Sequence, residues 1–186
     1  MKMSSVRGFL IFGITVLVVS GCAKVDQPEN SSGVGSPSTS AAKHRGSVTI
    51  GIFRPTITTF ALRNSLTSGF GEVSVTFGQE GDIPLAGDWD GNGTTTIGVY
   101  DPSSQTFYLR NSNTIGFADL TIRYGPSGAT PVVGDWDGNG TVTIGVYDPS
   151  SQTFYLRNSN TIGFADLTIR YGPSGATPLA GDWNGF

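Results

Sequence analysis

The stretch Gly87-Asp88-Trp89-Asp90-Gly91-Asn92-Gly93 organises this chain, because it returns at a fixed spacing. The same seven residues occupy 134–140, and a third copy begins at 181–185 as Gly-Asp-Trp-Asn-Gly. Successive copies are 47 residues apart. Each full copy places three oxygen-bearing side chains within five positions and ends in a glycine. This composition suits a loop that binds a hard cation, and it suits equally the turn of a tight hairpin.

The region 47–186 is built from three copies of one unit. Residues 96–131 and 143–178 are identical at every position. The first copy has diverged, but residues 50–53 align with 97–100 and residues 60–65 align with 107–112. The repeat period of 47 residues therefore applies to the whole region.

Each unit predicts four short strands and no helix. Apolar residues alternate with others, as in Ile97 and Val99 or Phe107 and Leu109, and turn residues separate the runs. In the middle copy the expected strands lie at about 130–135, 95–100, 105–111 and 119–124. Four strands in about 45 residues are typical of a β-propeller blade. The fold class predicted is all-β, with three four-stranded antiparallel blades of an incomplete propeller.

The two ends of the repeat region are expected to be incomplete. If the recurring loop joins the first two strands of a blade, the first copy supplies strands two to four only. Residues 178–183 would then be its missing inner strand and would staple the ends together. Three blades are fewer than the roughly four to eight of known propellers. We expect an open arc of three blades in a single chain, with self-association or marginal stability in solution. A side-by-side dimer would complete a six-bladed ring.

The N-terminal segment predicts export and a lipid anchor. Residues 1–21 combine a positive start with an apolar run too short to span a membrane comfortably, which fits a signal peptide. Cys22 is the only cysteine, and the preceding Val-Ser-Gly resembles the lipobox of bacterial lipoproteins. That resemblance implies acylation of Cys22 and, because Ala23 rather than Asp follows, an outer-membrane or cell-surface location. The alternative is an ordinary signal peptide with an incidental cysteine.

The segment 22–46 predicts a flexible linker. It is rich in Ser, Gly and Pro and has no aromatic residue, so it cannot bury enough apolar surface to fold. The only histidine, His44, lies here between Lys43 and Arg45, which indicates a solvated basic spot.

The region 47–186 contains no histidine, cysteine or lysine, and its repeated identical units offer no catalytic constellation. It has twelve acidic and six basic side chains, which argues against nucleic acid as a partner.

The unit at residues 131–149 resembles the FG-GAP/VCBS-type repeat. It is similar to the blades of integrin α-chain propellers and of many secreted bacterial proteins. The resemblance covers 47–186, and its Asp-x-Asp-x-Asn-Gly core recurs at a fixed spacing. It implies that the loop joins the innermost strand of a blade to the second, and that Ca²⁺ is bound in the loop.

The ligands of Ca²⁺ would be oxygens from alternate positions of each loop. The first site would use Asp88, Asp90, Asn92, the Thr94 carbonyl and the Thr96 side chain, and the second Asp135, Asp137, Asn139, Thr141 and Thr143. The family usually has Asp at the fifth and ninth positions, whereas this chain has Asn and Thr. Two carboxylates per site predict weak binding, with a dissociation constant of about 10⁻⁴–10⁻³ M. The alternative is a metal-free hairpin held by Asx turns. In the third copy, Asp182 and Asn184 alone do not form a site.

The aromatic residues allow a second kind of site. Trp89, Trp136 and Trp183 indicate packing between blades, although a carbohydrate platform is the alternative. Tyr108 and Tyr155 alternate with Phe and Leu, so they face the other side of their strands and are candidates for ligand contact.

Taken together, these features predict a lipid-anchored, Ca²⁺-binding adhesion or binding module at the cell surface, not an enzyme. Its ligand would be an extracellular protein or a glycan. One alternative is a lectin-like carbohydrate-binding module. Another is a structural spacer, or a truncated repeat fragment without independent function, which the end of the sequence inside a third loop favours.

Overall fold

The computed structural model describes residues 48–183, which contain eleven β-strands and one short 3-10 helix, Pro55–Ile57. The predicted signal peptide, Cys22 and the whole of the predicted flexible linker lie outside the described residues. The strands are β1 Gly51–Arg54, β2 Thr59–Leu62, β3 Val73–Thr76, β4 Ile83–Gly87, β5 Thr96–Asp101, β6 Thr106–Leu109, β7 Leu120–Arg123, β8 Thr130–Gly134, β9 Thr143–Asp148, β10 Thr153–Leu156 and β11 Leu167–Arg170. Their positions in the middle copy agree with the predicted ones to within two residues.

The strands form three antiparallel sheets. The first sheet has the order β1-β2-β3, the second β4-β5-β6-β7 and the third β8-β9-β10-β11. The all-β class is confirmed, and so is the expectation that the first copy contributes three strands while the others form four-stranded sheets. The recurring loop joins β4 to β5 and β8 to β9, so it links an edge strand to its neighbour in the same sheet.

The repeat fixes the strand register. In the second sheet Ile83 pairs with Tyr100 and Gly87 with Thr96. In the third sheet the residues 47 positions later, Thr130–Tyr147 and Gly134–Thr143, pair in the same way. A slip of one residue would turn every apolar side chain to the opposite face, so the alternating pattern excludes such a shift.

The core lies between successive sheets. One cluster joins Phe60 and Val75 of the first sheet to Ile97 and Val99 of the second. The other face of the second sheet packs on Ile144 and Val146 of the third sheet. This second cluster includes Leu85, Trp89, Tyr100, Phe107, Leu109, Ile122, Tyr124 and Ala129. Alternate residues of β5 thus serve two different cores, and burying one such large side chain contributes about 1.5–3 kcal/mol.

The C-terminal segment does not complete the first sheet. Residues 174–182 lie outside any strand, and the exposed Leu179 is not paired with β1. The expectation of a staple between the two ends is therefore wrong for residues 48–183, and the first sheet has three strands rather than the four predicted for each unit. One core cluster joins the first sheet to the second and the other joins the second to the third, so within residues 48–183 neither cluster brings the C-terminal segment to β1.

The turns between β5 and β6 and between β9 and β10 are held by an aspartate. Asp101 Oδ1 accepts hydrogen bonds from the Ser103 amide at 2.8 Å and its hydroxyl at 2.6 Å, and Oδ2 accepts from the Ser104 hydroxyl at 2.6 Å. Asp148 makes the same bonds to Ser150 and Ser151. These serine donors lower the pKa of both aspartates below the usual 3.8.

Because the folded-state pKa is lowered, the ionised aspartates stabilise the fold above the unfolded-state pKa, and this stabilisation is lost as the pH falls through the folded-state value. We expect Asp101→Asn with Asp148→Asn to reduce the free energy of unfolding at pH 7 by about 1 kcal/mol per turn. At about pH 2 the difference from wild type should largely disappear. Urea unfolding at both pH values checks this, with Glu80→Gln as the control. An equal deficit at both pH values would contradict the role of the ionised form.

Candidate functional site

The first recurring loop is closed by its own acidic side chains. Asp88 Oδ1 accepts a hydrogen bond from the Asn92 amide at 3.0 Å, and Oδ2 accepts from the Gly93 amide at 2.7 Å. Asp90 receives the Asn92 amide at 3.2 Å and the Asn92 side-chain nitrogen at 3.0 Å. Asn92 Oδ1 in turn accepts from the Thr94 amide at 2.8 Å. These are the bonds of consecutive Asx turns, as in the hairpin alternative.

The second loop repeats this arrangement. Asp135 Oδ2 accepts from the Gly140 amide at 2.7 Å, Asp137 binds Asn139, and Asn139 Oδ1 accepts from the Thr141 amide at 2.7 Å. Gly140 has φ of 99°, in the left-handed region that favours glycine. The expectation that this glycine allows the sharp bend is confirmed.

The predicted ninth ligands lie at the base of the loops. The Thr96 hydroxyl donates to the Gly87 carbonyl at 3.2 Å. The Thr143 hydroxyl lies 3.2 Å from the Gly134 carbonyl and 2.6 Å from the Arg157 carbonyl. Both threonines are buried, and they tie the second strand of the sheet to its neighbours.

Each recurring loop offers few oxygen donors to a cation. Among residues 48–183, no three or more His, Cys, Asp or Glu side chains lie close enough together to hold a metal ion. Each loop brings together two carboxylates and one amide oxygen. A carboxylate has about four lone-pair positions, so Asp88 and Asp90 keep acceptor capacity beyond the backbone bonds described above. The hairpin is also complete as a hydrogen-bonded turn.

The loop of the second sheet is fastened to the third sheet. The Val142 amide donates to the Asp88 carbonyl at 2.8 Å. The Asn160 side chain donates to the Trp89 carbonyl at 3.0 Å and to the Val142 carbonyl at 2.9 Å. A Cβ on Gly91 would come within 2.7 Å of the Thr141 hydroxyl, so this glycine permits the close approach of the two loops.

The burial of each recurring tryptophan depends on whether another sheet follows its own. Trp89 is 3% exposed, packs in the core between the second and third sheets, and donates to the Ile97 carbonyl at 3.2 Å. Trp136 is half-buried and Trp183 is exposed. The prediction that this tryptophan packs between units is confirmed for Trp89, whose sheet is followed by another.

Tyr108 and Tyr155 lie at the sheet junctions. Both are half-buried, and they pack against the two core clusters. Each also lines a groove. The first groove, of about 390 Å³, contains Phe77, Tyr108 and Phe117. The second groove, of about 540 Å³, contains the counterparts 47 residues later, and Arg123 and Asp148 also line it. The two tyrosines are thus placed on the walls of repeated open grooves.

An exposed phenylalanine lies beside each groove and was not predicted from the sequence. Phe117 is 95% exposed and Phe164 96%, and Phe70 holds the same place in the first copy. The recurrence of Phe between glycine and a small residue, 47 positions apart, is the signal that could have found them. Burial-based reasoning passes over such a residue, since it lies in a loop with no strand periodicity.

Buried arginines hold the loops that carry these phenylalanines. Arg110 is buried and donates to the Phe117 carbonyl, and it pairs with Asp119 at 3.4 Å. Arg157 donates to the Phe164 carbonyl at 2.5 Å and forms an ion pair with Asp166 at 3.0 Å. The fork geometry of guanidinium lets one side chain bind several loop oxygens, which fixes the loop.

The second groove contains one unusual polar group. Tyr124 is 8% exposed, and its hydroxyl has no hydrogen-bond partner among the described residues. Burial raises the pKa of this hydroxyl, so it remains protonated at neutral pH and can donate. Phe77 occupies the same position in the first groove and has no such group. The two grooves therefore share their aromatic walls but differ in hydrogen-bonding capacity.

No family model, curated protein or solved structure gives a significant match to this chain. Within residues 48–183 there is no helix of the length and apolarity that crossing a bilayer requires.

Proposed function

We propose that this chain is a non-enzymatic binding or adhesion module of the cell surface, which contacts its ligand through the grooves at the sheet junctions. The observation that carries the proposal is the recurrence of one groove, with a tyrosine wall and an exposed phenylalanine, at both junctions. An exposed aromatic side chain held on a fixed loop loses little conformational entropy on binding.

The sheets are proposed to be blades of an incomplete FG-GAP/VCBS-type propeller. Three features support this: the sheets pack face to face in chain order, the chain enters each four-stranded sheet at an edge strand, and the recurring loop follows that strand. The acidic repeat region is unsuited to nucleic acid. Extracellular protein or glycan is the proposed ligand, and a second copy of the chain is a proposed partner.

The lectin-like alternative draws support from the second groove. A sugar ring offers an apolar face to aromatic side chains and hydroxyl groups to donors and acceptors. Tyr155 and Phe164 supply the aromatic surface, and Tyr124, Arg123 and Asp148 supply polar groups around it. Pockets with an apolar wall and a few placed polar groups are the usual form of small-ligand sites.

A glycan array followed by titration of the strongest glycan tests this site. We expect Tyr155→Ala to abolish binding, and Tyr124→Phe to weaken it about five-fold because one hydrogen bond contributes about 1 kcal/mol. Tyr100→Phe is the matched control, since it also removes a buried hydroxyl without a described partner but does not line the groove. Unchanged affinity in both Tyr155→Ala and Tyr124→Phe would show that the groove is not the site.

The recurring loops are proposed to bind Ca²⁺ weakly and to be stiffened by it. The support is the pair of carboxylates in each loop, together with the resemblance described above. With the dissociation constant expected from the sequence, Ca²⁺ at about 1 mM is present at about 1–10 times that constant and adds about 0.4–1.4 kcal/mol to stability for each site. Calcium at millimolar concentration should therefore raise the melting temperature above that measured in EDTA.

Asp90→Asn with Asp137→Asn should remove this response, because each change takes away a charge but keeps an acceptor for the following asparagine amide. The melting temperature of the variant in EDTA is the control, because it shows any effect of the two substitutions on the hairpin without Ca²⁺. Identical melting of the wild type in Ca²⁺ and in EDTA would mean that the loops are metal-free turns.

The module is proposed to be anchored by a lipid on Cys22. The support is the lipobox-like sequence before this residue. Acyl chains bind membranes with about 0.8 kcal/mol for each buried CH₂ group. We expect the wild type to fractionate with membranes and Cys22→Ser to be released, and mass spectrometry of the mature N-terminus to find an acylated cysteine. An unmodified N-terminus at another residue would contradict the anchor.

A further inference from the structure

The first sheet lacks the edge strand that the other two sheets possess. In the second and third sheets, β5 and β9 are each paired on one side with an edge strand, β4 or β8. The corresponding strand of the first sheet, β1, pairs with β2 alone among the described residues. Within residues 48–183 no strand pairs with the outer edge of β1, a configuration that favours strand addition.

Residues 177–183 have the sequence of the missing strand. Pro178 to Trp183 are identical to residues 84–89, which comprise most of β4 and the start of its loop. In the structure this segment nevertheless lies outside any strand. The chain thus contains a strand sequence without a sheet and a sheet without its edge strand.

Equivalent positions of the repeat differ in exposure, both in the C-terminal segment and beside β1. Leu179 is 74% exposed, whereas its counterpart Leu85 is 3% exposed in the core. Ile50 beside β1 is 58% exposed, whereas its counterpart Ile97 is 1% exposed. These side chains have the same position in the repeat, so the difference comes from the absent neighbours.

We propose that residues 177–181 of one copy of this chain add to β1 of a second copy as its fourth strand. The repeat fixes the register, because β4 pairs with β5 in a known way. Leu179 would lie opposite Gly51, and Ala180 opposite Ile50, as Leu85 lies opposite Gly98 and Ala86 opposite Ile97. The pairing is antiparallel. The inference rests on the blade arrangement proposed above, but not on any ligand.

The outer faces of the end sheets identify the occupant as a second copy. The outer face of the third sheet exposes Ile169 to 46%, whereas its counterpart Ile122 is 3% exposed where another sheet follows. The outer face of the first sheet exposes Ile50 and Ile52, the counterparts of side chains that fill a core elsewhere. A donated strand would bring these two faces together in the same way as at the internal junctions.

Reciprocal exchange between two copies explains why the strand is not donated within one chain. The three sheets of residues 48–183 are too few for a ring, whereas the six of two copies lie within the roughly four to eight found in propellers. Two identical head-to-tail junctions close the assembly with two-fold symmetry, so no incomplete sheet and no uncovered junction face is left to propagate. The expected species is a dimer of six four-stranded sheets.

Disulfide trapping tests the register and the donor. In full-length Cys22→Ser protein, two single variants, Ile50→Cys and Ala180→Cys, are mixed under mild oxidation in detergent. Cross-strand neighbours lie within the Cα separation that a disulfide spans. We expect a disulfide-linked pair containing one chain of each variant. The control mixes Leu179→Cys with Ile50→Cys. In the added strand, the side chain at 179 points to the face opposite to that of Ala180 and Ile50, so this mixture should give at most a small fraction of the cross-linked pair.

Sedimentation of the same proteins provides the second measurement. The parent protein should be a dimer, and Leu179→Asp should shift it to monomer with an unchanged far-ultraviolet spectrum, because the residue is exposed in the single chain. Ile162→Asp is the matched control, since Ile162 is 78% exposed and its counterpart Ile115 is equally exposed at 79%. The proposal is overturned if the mixture gives no cross-linked pair, if a single chain carrying both cysteines closes on itself as a monomer, or if the parent protein is monomeric at all concentrations.

Discussion

Face-to-face packing between successive sheets is the contact on which the rest of this structure depends. No single sheet has a core of its own, since each buries its apolar side chains against the sheet before or after it. The alternation along β5 sends Ile97 to one neighbour and Tyr100 to the other. The recurring loop, the grooves and the exposed phenylalanines all take their positions from these junctions. Stability in such an array is a sum over units and interfaces.

The two identical copies show how strongly the neighbour decides the environment. Tyr124 and Tyr171 have the same sequence around them, but the first is buried beneath the third sheet and the second is exposed. Local sequence therefore determines strand, register and turn, while burial is determined by the presence or absence of an adjacent sheet. Hydrogen bonds between units depend on the neighbour in the same way, because the Asn160 side chain donates to the Trp89 carbonyl of the preceding unit.

Much of the fold could be predicted from sequence because two strong signals coincide. Period-two alternation marked the strands, and the 47-residue repeat marked which strands are equivalent. The absence of the fourth strand from the first sheet was inferred by placing the Asp88 loop between the first two strands. The expected pairing of residues 178–183 with the first copy was wrong for a single chain, since closure depends on the number of sheets and the angle between them, which no local pattern encodes.

The candidate site was only partly predictable. The oxygen-rich loops stood out by composition, but composition does not distinguish an Asx-turn hairpin from a metal loop, because both need acceptors at alternate positions. Tyr108 and Tyr155 were identified from strand alternation. Phe117 was missed because its place depends on Arg110, whose guanidinium binds the loop carbonyl. A buried arginine at the end of a strand, with a Gly-Phe loop after it, is the pattern that would find such a residue.

Repetition of the grooves has a consequence for avidity. A polymeric ligand whose repeating units match the distance between two junctions could occupy both at once. Its second contact is then intramolecular and proceeds at an effective concentration in about the millimolar range, so weak individual contacts combine into durable attachment. If the grooves bind as proposed, such a surface would discriminate by spacing as well as by chemistry, and it would hold a long chain or a crowded glycan layer while releasing the corresponding monomer.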